Sequence, residues 1–180
     1  METPDLFFNI SLAQWSLHKS IFGETLYALD GKKRVELLRQ DSEAALGGSI
    51  KPLDFAKVAR EFGIDAIEYV SGFYLDKAEN QNYLNELKSR ADGEGVKSLL
   101  IMVDDEGHIG DTDEDRRNQA VENHYKWVDA AKFLGCHSIR VNAAGEDTAD
   151  EVKQAAIDGL GKLTEYGAQN EINIIVENHG

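Results

Sequence analysis

The chain has 180 residues, 42% of them hydrophobic, which is enough for a sizeable core, and it carries a single cysteine, Cys136. Its net charge of −14 argues against partners that present a phosphate backbone, such as nucleic acid, and against an anionic membrane surface. A lone cysteine excludes an internal disulfide and a cysteine-built metal cluster, and suits a reducing, cytoplasmic setting.

The first apolar run, residues 8–15, predicts a strand. Residues 16–51 then break the pattern. They hold Gly23, Gly31, Gly47 and Gly48 and a charged stretch that could form a short helix. This is long for a connection between a strand and a helix, so it reads as a loop insertion. Pro52 opens a helix whose face is Phe55, Val58, Ala59 and Phe62, and Gly63 stops it. Residues 64–70 predict the second strand. A helix over about 77–94 ends at Gly95, and residues 96–103 predict the third strand. The next helix, about 112–134, starts with Thr112 and Asp115 as a cap and ends at Gly135. A fourth strand follows over 137–142. Thr148 and Glu151 then have the spacing of a capping box for a helix ending near Ala168, and residues 172–178 predict the fifth strand.

Strands alternating with helices of this length imply parallel β-α units, all within one domain spanning residues 1–180. A doubly wound sheet and a barrel both satisfy that pattern. No glycine-rich dinucleotide fingerprint follows the first strand, and no phosphate loop is present, which lowers nucleotide-binding readings.

Side chains alternate between the two faces of a strand. Ile139 and Val141 therefore oppose Arg140 and Asn142, and Ile174 and Val176 oppose Ile175, Glu177 and His179. The aliphatic set is expected against the helices. The polar set, Glu68, Arg140, Asn142, Glu177 and His179, is expected to converge near the C-terminal strand ends, where barrel enzymes place their sites. Interior charges are costly unless they are paired or bind metal. An internal ion pair of Arg140 with Glu68 or Glu177 is the simplest structural use of them.

The segments Ser11-Leu12-Ala13-Gln14-Trp15-Ser16-Leu17-His18, Phe62-Gly63-Ile64-Asp65-Ala66-Ile67-Glu68-Tyr69, Leu134-Gly135-Cys136-His137-Ser138-Ile139-Arg140-Val141-Asn142 and Val176-Glu177-Asn178-His179 occur in a telling order. With them the chain resembles the xylose-isomerase-like sugar phosphate isomerase/epimerase barrels. The resemblance implies an α/β fold of the (β/α)8 TIM-barrel type, here with about five strands and four intervening helices. It implies Glu177 as a ligand of a divalent metal (Mn, Mg, Co or Zn) and as the catalytic acid/base. The implied chemistry is proton transfer beside a carbonyl through an enediolate on a sugar or sugar phosphate. With three strands fewer than that barrel, the chain is expected to be incomplete and inactive alone, and a homo-oligomer is one way to cover its open edges. Trp15, His18, Glu68, His108, Arg140, Asn142 and His179 are the expected substrate contacts.

Two other functions compete. A metal-dependent nuclease of the endonuclease IV type shares the barrel, but Asp104 and Asn142 stand near the places of its histidine ligands, and the acidic charge opposes it. A non-catalytic binding module is the third.

Overall fold

Gly135 shows how the units are cut. It sits at φ +80, where a side chain would be strained, and its N–H closes the preceding helix onto Ala131 and Lys132. Gly63, at φ +75, ends the helix before the second strand in the same way. The computed structural model describes residues 9–177, and His179 lies outside them. Five strands and six α-helices follow in order: β1 (Leu12–Ala13), α1 (His18–Tyr27), α2 (Gly31–Ala45), α3 (Phe55–Glu61), β2 (Ala66–Val70), α4 (Gln81–Gly93), β3 (Lys97–Met102), α5 (Glu114–Leu134), β4 (Ser138–Val141), α6 (Ala149–Gln169) and β5 (Asn173–Val176).

The chain forms two compact units that divide within β3, between Leu99 and Leu100. In the first, β1 and β2 are parallel, with Leu12 opposite Ile67 and Ala13 opposite Glu68. The Lys97 N–H at the start of β3 donates to Asp65 O at 2.8 Å. Phe55, Ala59, Ile67, Tyr69 and Phe73 form the core there, each at most 1% exposed. Tyr69 is part of that core and bonds Ser98 at 2.9 Å.

In the second unit, β3 and β4 are parallel, with Met102 opposite Arg140, and β4 and β5 are parallel, with Arg140 opposite Ile175. Ile139, Val141, Val128 and Leu163 are fully buried. The aliphatic face of β4 thus packs as alternation predicts. On β5 it does not continue: Val176 is 49% exposed.

Three local expectations are corrected. The strand expected over 8–15 is only Leu12–Ala13 within the described residues, because Gln14–Leu17 turn into a 3-10 helix. Gln14 holds that turn: its carbonyl accepts the Val70 N–H at 2.9 Å, and its amide reaches the buried Tyr74 hydroxyl. The stretch expected as a long loop contains α1 and α2. Asp30 caps α2 by accepting from Lys33 N at 3.1 Å, and Asp41 does the same for Ala44 at a break inside the helix. Finally, α5 is capped by Asp113, which accepts from Arg116 N, rather than by Thr112. At α6 the Thr148 hydroxyl bonds the Glu151 carboxylate, so the capping pair forms but leaves the helix N–H groups to other partners.

Candidate active site

The ends of β3, β4 and β5 carry four polar side chains in the second unit: Asp104, Arg140, Asn142 and Glu177. The ladder sets their positions. Val103 N–H donates to Arg140 O at 2.8 Å, and Glu177 N–H donates to Val141 O at 3.3 Å. Arg140 and Asn142 are two residues apart, so they share one face of the chain.

Arg140 is the hub. Its side chain is 10% exposed. Nη1 donates to Asp104 Oδ1 at 3.0 Å and to Asn142 Oδ1 at 3.1 Å. The Asn142 amide donates to the same Asp104 oxygen at 2.7 Å. On its other side, Arg140 Nε lies 2.8 Å from Glu177 Oε2. That Nε is buried and makes no aligned hydrogen bond, so Glu177 is held by charge proximity rather than by a directed N–H. Glu177 is 48% exposed and Asp104 32%, so both carboxylates reach water while the cation between them does not. The ion pair expected between Arg140 and Glu177 thus forms.

The acidic loop after β3 is anchored from below. Glu106, 3% exposed, accepts from Trp127 Nε1 at 2.9 Å and pairs with Lys126 at 3.0 Å. The Asn123 amide donates to its backbone carbonyl at 3.1 Å. Beneath it His124 is 2% exposed and donates from Nδ1 to Ala120 O at 2.7 Å. Burial pushes its imidazole below the ordinary value, and the nearby Glu106 and Asp104 oppose that shift only in part. His108, at the far end of the loop, is exposed.

The other expected site residues lie in the first unit. Glu68 is half-buried and accepts from the Ser11 hydroxyl. Trp15 is 49% exposed and stacks on His18, with centroids 4.6 Å apart. The structure therefore brings together Arg140, Asn142 and Glu177, and separately Trp15 with His18. Asp104, expected only as a member of an acidic loop, is the functional candidate that sequence reasoning undervalued. Its signal was its place one residue beyond the run that ends the third strand.

A family model described as a xylose isomerase-like TIM barrel matches residues 56–180, more than half of the chain. The chain belongs to that family. By sequence, no curated protein matches it. Among solved structures, the family member is similar to the 3-keto-D-glucoside 4-epimerase YcjR of E. coli, at TM-score 0.58 and 20% identity over 69% of this chain and 50% of that one. It is similar to a D-psicose 3-epimerase solved in the presence of D-fructose, at 0.61 and 14% over 73% and 50%. It is also similar to a xylose isomerase-like TIM barrel protein from Mycobacterium smegmatis in complex with magnesium, at 0.59 and 14% over 97% and 56%. At these identities the likeness shows the fold, and the chain spans about half the length of each.

A divalent metal in this family member would need several hard oxygen or imidazole donors around one point. Glu177 is of the right type, but its Oε2 faces a guanidinium. Among the described residues no three His, Cys, Asp or Glu side chains come close enough to hold an ion. Residues 9–177 therefore do not fit a complete metal centre by themselves. Among them, no helix is long and apolar enough to cross a membrane.

Proposed function

We propose that this chain serves a sugar isomerase or epimerase in which Glu177 takes a proton from the carbon beside a carbonyl and returns it, through an enediolate. The observation that carries the reading is the clamp at the end of β5: a half-exposed carboxylate beside a buried guanidinium that Asp104 and Asn142 fix in turn. Proton transfer between carbons needs a base whose oxygen keeps its orientation while charge moves to the substrate. Arg140 supplies that restraint. Its positive charge, beside Glu177, would favour negative charge growing on a substrate bound there. The Asn142 amide keeps a second hydrogen for a sugar oxygen, and Arg140 acts on the substrate through its charge. His108, Glu68, Trp15, His18 and His179 are each proposed as substrate contacts, for a sugar or a sugar phosphate.

Dependence on a divalent metal, Mn, Mg, Co or Zn, is part of the proposal, with Glu177 as one ligand and the remainder drawn from outside residues 9–177. So are a cytoplasmic role in carbohydrate metabolism, which the single cysteine suits, and a homo-oligomer that would cover open sheet edges. Calorimetric titration of Mn²⁺ into the protein and into its Glu177→Gln variant tests the ligand role. Weaker binding in the variant supports it, and equally tight binding by both proteins overturns it.

A further inference from the structure

Directly after β1 the first unit holds an aromatic group in which one histidine has its tautomer set by its neighbour. His18 Nδ1 lies 2.6 Å from the Trp15 carbonyl oxygen. A carbonyl can only accept, so the hydrogen of the neutral ring sits on Nδ1 and Nε2 is left as a bare acceptor. Among the described residues nothing bonds that second nitrogen. The ring itself is held in place. It stacks on the Trp15 indole at 4.6 Å and 14°, and meets the Tyr27 ring at 5.5 Å and 47°. Phe22, 3% exposed, backs all three rings at 6.3 to 6.5 Å, and Phe73 stands behind it at 5.0 Å. Trp15 and Tyr27 nevertheless remain 49% and 39% exposed.

The cations nearby are engaged with the rings. Arg34 lies over Phe22 and Tyr27 at 5.0 and 5.6 Å and spends one amino group on Leu29 O at 3.0 Å, and Lys19 sits 5.3 Å from the Tyr27 centroid. The group thus offers two half-exposed aromatic surfaces and, at Nε2 of the uncharged ring, one fixed acceptor. That combination suits a ligand with apolar C–H groups and hydroxyl hydrogens to donate.

We infer that His18 is a sugar-positioning residue: Nε2 accepts a hydroxyl hydrogen of the sugar, while Trp15 and Tyr27 take its C–H groups. The inference rests on the sugar reading above and adds a defined tautomer and role. Because stacking and the Nδ1 bond already fix the ring, little side-chain freedom is lost when the hydroxyl binds. The ligand is a sugar that donates through a neutral hydroxyl, so a phosphate is not required for this contact.

Two measurements test it. Long-range ¹H–¹⁵N spectra of the labelled protein above the histidine titration range should show His18 protonated at Nδ1 and bare at Nε2; the opposite tautomer overturns the inference. Saturation-transfer NMR with D-fructose and D-glucose then compares the protein with His18→Asn, whose amide can still donate to Trp15 O but has no acceptor at the Nε2 position. Sugar affinity should fall about tenfold, the loss of roughly one hydrogen bond, with an unchanged circular dichroism spectrum. Equal affinity in the folded variant overturns the His18 role and leaves the proposed function standing. Binding that depends on His18 supports the role. No sugar binding by the unmodified protein overturns both.

Discussion

Replacing Arg140 by Met removes the charge at the centre of the clamp while keeping a side chain of similar reach in its buried position. Three contacts disappear. The hydrogen bond to the Asp104 carboxylate is charge-assisted and contributes about 1.5–3 kcal/mol. The bond to the Asn142 carbonyl contributes about 1 kcal/mol. The pair with Glu177 adds ~0–1 kcal/mol, because that carboxylate is 48% exposed and water screens it. Asp104, 32% exposed, recovers part of its loss by hydration. The expected cost is therefore about 3 kcal/mol, at the low end of what breaking a buried pair costs. The protein has two tryptophans, so a Trp15→Phe background leaves buried Trp127 as the reporter of the second unit. Urea unfolding followed by its fluorescence should show the midpoint falling by ~1.5 M at an unchanged slope of about 2 kcal/mol/M. A loss under ~1 kcal/mol would refute the view that Arg140 organises these strand ends.

Three further outcomes follow from packing and titration. Leu163→Ala, at a fully buried position on α6, should cost about 3 kcal/mol by calorimetry or urea unfolding, through lost transfer energy and a residual cavity. Gly48→Ala places a methyl 2.0 Å from Ser20 O and 2.4 Å from Ile21 O, both backbone atoms tied to residues 48–50 by hydrogen bonds, so the melting temperature should drop by the equivalent of at least ~2 kcal/mol. For His124 the sign is set by burial, which lowers its folded pKa below the unfolded value of about 6.5. Its contribution is complete above that value and is lost as pH falls towards the folded pKa, since the unfolded chain takes up the proton first. Stability measured from pH 7.5 to pH 5 should decline, and His124→Gln should flatten the decline; an unchanged slope would show that other groups dominate.

The regular part of the fold was legible because each signal was local. The Phe55, Val58, Ala59 and Phe62 spacing marked α3, and Gly63 and Gly135 marked its end and that of α5 through backbone freedom that no distant contact supplies. The convergence of Arg140, Asn142 and Glu177 followed from strand alternation and register alone. What escaped was decided by partners far along the chain. Gln14 turns the first strand into a 3-10 helix because Val70 and Tyr74, more than fifty residues away, take its amide. The pairing of Glu177 with Arg140 depended on the β4–β5 register, which joins segments more than thirty residues apart. In the segment before Pro52 the charged stretch forms the helix it suggested, α2, broken at Asp41, whereas α1, broken at Gly23, was concealed.

The most direct test of the account is hydrogen exchange at the substrate carbon. The protein with its metal ligands complete, supplied with Mn²⁺ in heavy water, is incubated with a panel of ketoses and the sugars are examined by NMR and mass spectrometry. The account predicts deuterium at the carbon beside the carbonyl of at least one sugar, lost in Glu177→Gln. Exchange that persists undiminished in that variant would contradict the assignment of Glu177 as the group that moves the proton.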